Sequence, residues 1–496
     1  MTNLKTAAEP KIFTLGELKE AGYVSRGIKQ ELRDNLIARL TAGEPTFEGI
    51  YGYEHTVIPE LERAILSKHT INLLGLRGQA KTRLARLMVE LLDEWMPIIA
   101  GSEINDDPLQ PLSFYGRNLV NELKDKTPIA WVHRNERFAE KLATPDVTVA
   151  DLIGDVDPIK AANLKLSYAD ERVIHFGMIP RANRCIFVIN ELPDLQARIQ
   201  VGLFNILQEG DIQIRGFKLR FPLDVQFVFT ANPEDYTNRG SIVTPLKDRI
   251  GSQILTHYPT SVAIAQSITA QEVKVSAERQ QPIIVPEAAK ELIEQIGFEA
   301  RRSEFVDTKS GISARMSISA YENMVSAAEL RLLKTKGKKT AVRLSDFAGV
   351  VPAITGKVEV VYEGEQEGAR FVADHLIQEG VKALFELRFP KLPKLEKQGT
   401  KGAYHDLMEW FAQANDALEL TEVMDDVTYR KQLLKVKPLV ALVDQFCPAA
   451  EEDERFFLME VVLWALAGQE KLSKSTIAFG HGFGDKSQDL LNAFRN

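Results

Sequence analysis

Cysteine is almost absent: the chain has two among 496 residues, Cys185 and Cys447. A pair this sparse and this far apart supports neither a disulfide framework nor a cysteine-ligated zinc site. Cys185 lies inside the apolar run Cys-Ile-Phe-Val-Ile, where it reads as a small hydrophobe. Long apolar runs are missing too. Nothing approaches the roughly 18 consecutive apolar residues that a bilayer span needs, so no membrane span is expected. The opening MTNLKTAAEPK has no apolar stretch of the signal-peptide kind, and a reducing cytoplasm is the expected location. Nor is positive charge in excess. Lys and Arg number 61 against 69 Asp and Glu, a net charge of -8, which argues against electrostatic capture of nucleic acid or anionic lipid. The chain also lacks an internal repeat and a low-complexity tract.

What is present describes an ordinary globular protein, with 45% hydrophobic and 26% charged residues. The length suggests about three domains at roughly 150 residues each. From Phe47 to about Val262, apolar runs alternate with amphipathic segments. Strands are predicted at Ile71 to Leu74, Ile129 to His133, Cys185 to Ile189, Val225 to Thr230 and Ser252 to Tyr258. That alternation predicts an α/β fold, a parallel sheet with helices on both faces. Helical patterns cover Gly27 to Leu40 before it, and Glu287 to Arg302 and Ser317 to Leu333 after it. The last ~145 residues read as mostly helical, broken by a Gly/Pro/Lys-rich stretch at Pro390 to Lys401. The expected division is a helical lead-in at 1–44, a core at 45–262, a helical lid at 263–352 and a C-terminal region at 353–496.

Within the core, Ile71-Asn-Leu-Leu-Gly75-Leu-Arg77-Gly78-Gln79-Ala80-Lys81-Thr82 reads as strand, glycine loop, helix. Leu84, Leu87, Met88, Leu91 and Leu92 then give the helix one apolar face. Backbone N–H groups of a glycine-rich turn opening a helix cradle phosphate oxygens. Lys81 is placed to neutralise the β- and γ-phosphates of ATP, and the Thr82 hydroxyl to join a magnesium shell. Arg77, Gln79 and Arg83 complete the expected nucleotide contacts. The usual motif has glycine where Ala80 stands. Alanine is compatible if that position already lies in the helix. A plain strand–turn–helix with a surface lysine is the competing reading.

The apolar strand from Cys185 ends in Asn190-Glu191-Leu192-Pro193-Asp194. A buried strand that delivers a polar pair at its C-terminal end is where doubly wound folds place ligand chemistry. An aspartate usually orders magnesium at the first position and a glutamate polarises water at the second. Here they are Asn190, an uncharged metal-side candidate, and Glu191, the catalytic candidate. The pair also fits a helix cap with Pro193 in the first turn. Val225-Gln-Phe-Val-Phe-Thr230-Ala-Asn232-Pro233 ends another strand in an amide suited to positioning a water. Arg249, in Leu246-Lys-Asp248-Arg249, and Arg315, opening a long helix, are the candidate arginines. An arginine finger compensates charge on a transferring phosphoryl group, whereas a surface pair between Arg249 and Asp248 carries little energy.

Taken in order, these segments resemble the AAA+ branch containing the magnesium chelatase I subunit and the MoxR ATPases, over roughly Pro45 to Pro352. Pro45-Thr-Phe-Glu-Gly-Ile50-Tyr-Gly52-Tyr is similar to that family's adenine-side segment. The loop with alanine before lysine is similar to the MoxR form. Ile179-Pro-Arg181-Ala-Asn183-Arg184 resembles the chelatase Arg-Ala-Asn-Arg run, Leu246 to Arg249 the arginine-finger helix, and Ala314-Arg315-Met-Ser-Ile the lid arginine. Two hairpins fit the resemblance, one at Leu166 to Phe176 around Ala169-Asp170-Glu171. The other, at Ile212 to Phe221, sets Ile212 and Ile214 opposite Phe217 and Leu219 across Arg215-Gly216. The resemblance implies a P-loop AAA+ ATPase using ATP and Mg2+, in a homo-oligomeric ring of six, that remodels a partner protein or drives metal-cofactor insertion. It implies Arg249 acting across a subunit boundary and Arg315 reaching the nucleotide from the lid. No Asp-x-Ser-x-Ser motif is present, which implies a separate adhesion-domain (VWA-type) partner chain. No nucleic-acid partner is expected. The alternatives are the chelatase motor itself, a sigma-factor-dependent activator, whose Gly-Ala-Phe-Thr-Gly-Ala loop is missing here, and a weakly hydrolysing scaffold.

Overall fold

A computed structural model describes residues 8–168, 170–209, 211–213, 220–233, 241–274, 282–307, 309–392, 402–414, 417–421, 423–477 and 480–485. The chain divides into two compact units, Met1–His257 and Tyr258–Asn496.

The first unit is built on a parallel sheet. In chain order its strands are β1 (Ile71–Leu74), β2 (Trp95–Ile99), β3 (Ile129–His133), β4 (Phe138–Leu142), β5 (Gly154–Val156), β6 (Ile174–Phe176), β7 (Cys185–Asn190), β8 (Asp211–Gln213), β9 (Arg220–Pro222), β10 (Val225–Ala231) and β11 (Ser252–Leu255). Five of them form the central sheet in the order β11-β1-β10-β7-β4, all parallel. Sequence explains the placement. β10 is buried at every residue and β7 at all but its last, the continuous apolar pattern of strands covered on both faces. β4, Phe-Ala-Glu-Lys-Leu, is at least partly exposed throughout and takes the edge. Alternate side chains fill two cores. Phe187, Phe227 and Phe229 point to one side, and Ile186, Val188 and Val228 to the other. The architecture is an α/β fold, a five-stranded parallel sheet with a core on each face.

One strand lies elsewhere than expected. Ile129 to His133 pairs antiparallel with β2 outside the central sheet, and β4, five residues on, takes the fifth place. Trp131 and Ile129 instead engage the N-terminal segment: the Trp131 indole donates to the Ile12 carbonyl at 2.8 Å, and Ile129 N–H to the Phe13 carbonyl at 2.8 Å. The hairpin expected within Leu166 to Phe176 is in fact β5 against β6, with the helix Pro158–Leu164 between them. Ala169 lies outside the described residues. β8 and β9 do pair, but with Ile212 opposite Phe221, off the expected register; the turn at Arg215-Gly216 lies outside the described residues.

The helix Ile28–Ala42 packs on this sheet through a buried ion pair. Arg137 donates to both Glu31 oxygens at 2.6 and 2.7 Å, with side-chain exposures of 1% and 6%. The same guanidinium donates to the Arg184 carbonyl at 3.1 and 2.9 Å. Asn183 takes the Asp224 N–H and donates to the Ile104 carbonyl, and Arg184 donates to the Pro97 carbonyl. The Arg-Ala-Asn-Arg run therefore clamps the base of β7.

The second unit is mostly helical, as expected. Its long helices Glu287–Ala300, Ala314–Lys334, Ala369–Arg388 and Glu452–Gly468 share one core running from Ile283 to Phe483. Two small sheets accompany them: β12 (Ile283–Ile284) with β13 (Thr340–Ala341), and β14 (Leu418–Thr421), β15 (Ser473–Ile477) and β16 (Gly480–Gly484) in the order β14-β16-β15.

Candidate functional site

The parallel register brings the C-terminal ends of β1, β7 and β10 side by side, since Ile71 pairs with Val228 and Val225 with Cys185. Every polar residue singled out on those strand ends arrives at one edge of the sheet. β1 runs into the loop 75–80, and the helix Lys81–Leu87 follows.

Lys81 is buried, 8% exposed, and donates to the Gly75 and Leu76 carbonyls, the latter at 3.0 Å, and to Asn232 Oδ1 at 2.6 Å. Asn232 Nδ2 donates in turn to Glu191 Oε2 at 2.7 Å. One amide thus links the loop cation to the strand-end carboxylate. The Thr82 hydroxyl donates to Asn190 Oδ1 at 3.3 Å. Thr230 donates to that same oxygen at 3.2 Å while accepting the Glu191 N–H at 3.1 Å. Sequence spacing does not single out Thr230, although it lies two residues before Asn232 on the same strand.

Two backbone positions differ from expectation. Ala80 is not helical: it has φ 55° and ψ 17°, the left-handed region, and Gly78 has φ 74°. Glycine adopts that region freely, whereas alanine there costs about 1–2 kcal/mol. Glu191 is left-handed as well, φ 55° and ψ 50°; it stands at the N-cap of the short helix Leu192–Asp194 with Pro193 in the first turn, but its side chain makes no cap bond. Strain of this kind concentrates at functional sites.

Gly75 is required by what lies beside it. A Cβ there would sit 1.9 Å from Thr256 Oγ1 and 2.2 Å from Gln79 Oε1. Those two atoms are bonded to each other at 2.7 Å, and the Gln79 side chain is buried. Tyr53, from the expected adenine-side segment, donates its hydroxyl to the Gln79 carbonyl at 3.0 Å and to the His257 carbonyl at 2.7 Å. Arg77 and Thr82 are exposed and Arg83 is half-exposed.

Arg249 follows the short helix Thr244–Lys247; its guanidinium donates to the Pro245 carbonyl at 2.7 Å and lies 5.3 Å from the centre of the Phe204 ring. Arg315 is in the second unit, at the start of the helix Ala314–Lys334, where the Ser313 hydroxyl accepts its N–H at 3.2 Å. Cys185 is buried, and desolvation pushes its thiol up to about 11, so it serves as a hydrophobe. A cavity of about 570 Å³ lined by Phe114, Tyr115, Lys160, Arg172 and Phe176 includes none of the phosphate-loop residues.

No protein-family model matches the chain. Among solved structures it is similar to the BchI–BchD complex of magnesium chelatase, at 17% identity over 65% of this chain and 98% of that one, TM-score 0.34. NtrX from Brucella abortus in complex with ATP gives 14% identity over 71% and 68%, TM-score 0.36. A RuvB mutant from Thermotoga maritima gives 12% over 94% and 93%, TM-score 0.31. Scores this low carry nothing about activity. No helix among the described residues is long and apolar enough to cross a membrane.

Proposed function

We propose that the chain is an ATP hydrolase of the AAA+ kind that works as a ring, remodelling a partner protein or driving insertion of a metal cofactor. The observation that carries the reading is the Asn232 amide between Lys81 Nζ and Glu191 Oε2. A buried cation, an amide and a carboxylate stand in one row beside a glycine loop, which supports giving the amide the task of positioning a water. Lys81 Nζ rests on the loop carbonyls of Gly75 and Leu76, acceptors that the phosphates of a bound nucleotide would replace. Gly78, Gln79 and Ala80 supply backbone N–H groups to phosphate oxygens, with Arg77 and Arg83 flanking them, whereas the Gly75 N–H is taken by the Ala231 carbonyl at 3.1 Å and Gly75 serves by leaving space. Glu191, presented by Asn232, takes the proton-accepting side of the attacking water.

The donor set suits magnesium as well. Thr82 and Asn190, already within hydrogen-bond reach of each other, offer two hard oxygens of the kind this ion accepts. When bound, the ion supplies charge neutralisation for the phosphates. In the ring, six copies by resemblance, Arg249 is the finger toward a neighbour and Arg315 the lid contact. The separate adhesion-domain partner, the four-part division at 44, 262 and 352 and the cytoplasmic location belong to the same proposal.

Paired variants test the site. Lys81→Ala should abolish ATP binding in a calorimetric titration, while Glu191→Gln should bind ATP normally and release no phosphate. Undiminished affinity in the first would remove the phosphate-loop assignment. Undiminished turnover in the second would move the chemistry elsewhere.

A further inference from the structure

We infer that Tyr53 and Thr256 are positioning residues of the phosphate loop, holding the peptide between Gln79 and Ala80 against the strain of a left-handed alanine. The inference rests on the phosphate-site reading above, and it names what makes this loop tolerate alanine.

Ala80 has φ 55°. Turning over the peptide that precedes it, which changes ψ of Gln79 and φ of Ala80 together, would bring the alanine to negative φ and out of the left-handed region that its Cβ disfavours. That flip is therefore favoured locally, and something must oppose it. Both ends of Gln79 are fastened. Its carbonyl, which belongs to the peptide in question, accepts the Tyr53 hydroxyl at 3.0 Å. Its side-chain oxygen accepts the Thr256 hydroxyl at 2.7 Å. A flipped peptide would take the Gln79 carbonyl away from the Tyr53 hydroxyl and leave that proton to the His257 carbonyl alone.

The anchors are buried and themselves held. Tyr53 is 5% exposed and Gln79 6%. The Tyr53 hydroxyl is also 2.7 Å from the His257 carbonyl. Its ring meets the His257 imidazole edge-on at 4.9 Å, and that imidazole is bonded to Thr56 Oγ1 at 2.8 Å. Gly75 leaves the space the Gln79–Thr256 bond occupies. Because the peptide is trans, holding the carbonyl on the Tyr53 side turns the Ala80 N–H to the opposite side. There it joins the donors for a phosphate oxygen.

A cycle of Tyr53→Phe and Ala80→Gly tests this, with ATP affinity measured by calorimetry and thermal midpoint measured without nucleotide. Tyr53→Phe should weaken ATP binding about tenfold, close to 1.4 kcal/mol, in the chain carrying Ala80. With glycine at 80 the same change should cost less than about threefold, since nothing then favours the flip. Thr256→Val should show the same dependence on residue 80, and Thr256→Ser should behave as wild type. Equal losses in both backgrounds would overturn the proposal, as would no loss in either. Should Tyr53→Phe fail to fold, Thr256→Val and Thr256→Ser decide alone. If Lys81→Ala retains full ATP affinity, the phosphate-site reading fails instead. The proposal then stands or falls on the nucleotide-free melting cycle, where additive midpoints would overturn it.

Discussion

Each unit carries a cluster of charged residues, and the two are wired differently. At the proposed phosphate site the cation Lys81 donates to carbonyls and an amide oxygen, and Glu191 receives the other end of that amide. In the second unit guanidinium groups meet carboxylates directly. Arg331 donates to Asp346 at 3.1 and 2.8 Å, Arg343 donates to Asp426, and the two arginine side chains are 5% and 2% exposed. Arg343 also stacks 4.0 Å over the Tyr429 ring. The Tyr429 hydroxyl donates to Glu460 at 2.8 Å, and burial raises both the Glu460 carboxyl and the Tyr429 phenol above their usual ranges. A cation resting on loop carbonyls can exchange those acceptors for a phosphate, whereas a bidentate buried pair spends its charge within the fold. The first arrangement suits an incoming anion. The second fastens the helices Ala314–Lys334, Asp426–Lys435 and Glu452–Gly468 together.

Substitutions should separate the two clusters. The largest expected effect is on rate: Arg249→Ala should leave ATP binding intact and slow hydrolysis on the order of a thousandfold, as loss of a finger does. Mixed with Lys81→Ala, it should recover part of the activity at shared interfaces. Mixed rings that stay inactive at every ratio would count against action across a boundary. Next comes stability. Asp346→Ala leaves Arg331 buried without its bidentate carboxylate and should cost about 3–5 kcal/mol, read as an earlier urea midpoint for the second unit. A change below about 1 kcal/mol would mean that Asp426 and the carbonyls suffice. The smallest effect concerns Asn190, where restoring a carboxylate adds attraction for a divalent cation in a site of lowered dielectric. Asn190→Asp should lower the magnesium needed for half-maximal hydrolysis by roughly a few-fold. The opposite shift would show a site rebuilt around the amide, whose oxygen already accepts Thr82 and Thr230.

The contrast also explains what can be read in advance. Four of the five strands of the central sheet are legible in the sequence: β7 and β10 because buried parallel strands leave continuous apolar runs, β1 by the glycine loop that follows it, and the mostly exposed edge strand β11 by its place in the alternation. β4 is not, since an edge strand with Glu140 and Lys141 carries no such run. Lys81, Thr82, Asn190, Glu191 and Asn232 are legible because loops at strand ends have characteristic spacing, and the fold brings them to one edge. Tyr53, Thr230 and Thr256 escape such a reading. Each acts through a hydroxyl aimed at a backbone or amide atom distant in sequence, and spacing does not encode that. Ala80 reads as helical because one residue type says little about φ. The buried network of the second unit is invisible for the same reason as Arg137 and Glu31: partners lie from 15 to 106 positions apart.

The Glu31–Arg137 pair bears on how this unit could be moved or inherited. A cassette from Pro45 to His257 would carry the whole phosphate row and every strand of the central sheet. It would also strand a guanidinium 1% exposed, whose removal from water is offset chiefly by Glu31 and the Arg184 carbonyl. Isolated buried charge of that kind costs several kcal/mol, a large share of a domain's net stability. The helix Ile28–Ala42 is therefore cargo that any transplant must take along. A gene fusion or deletion cut within Pro45-Thr46-Phe47 would separate a motif from the counter-charge that lets its scaffold fold.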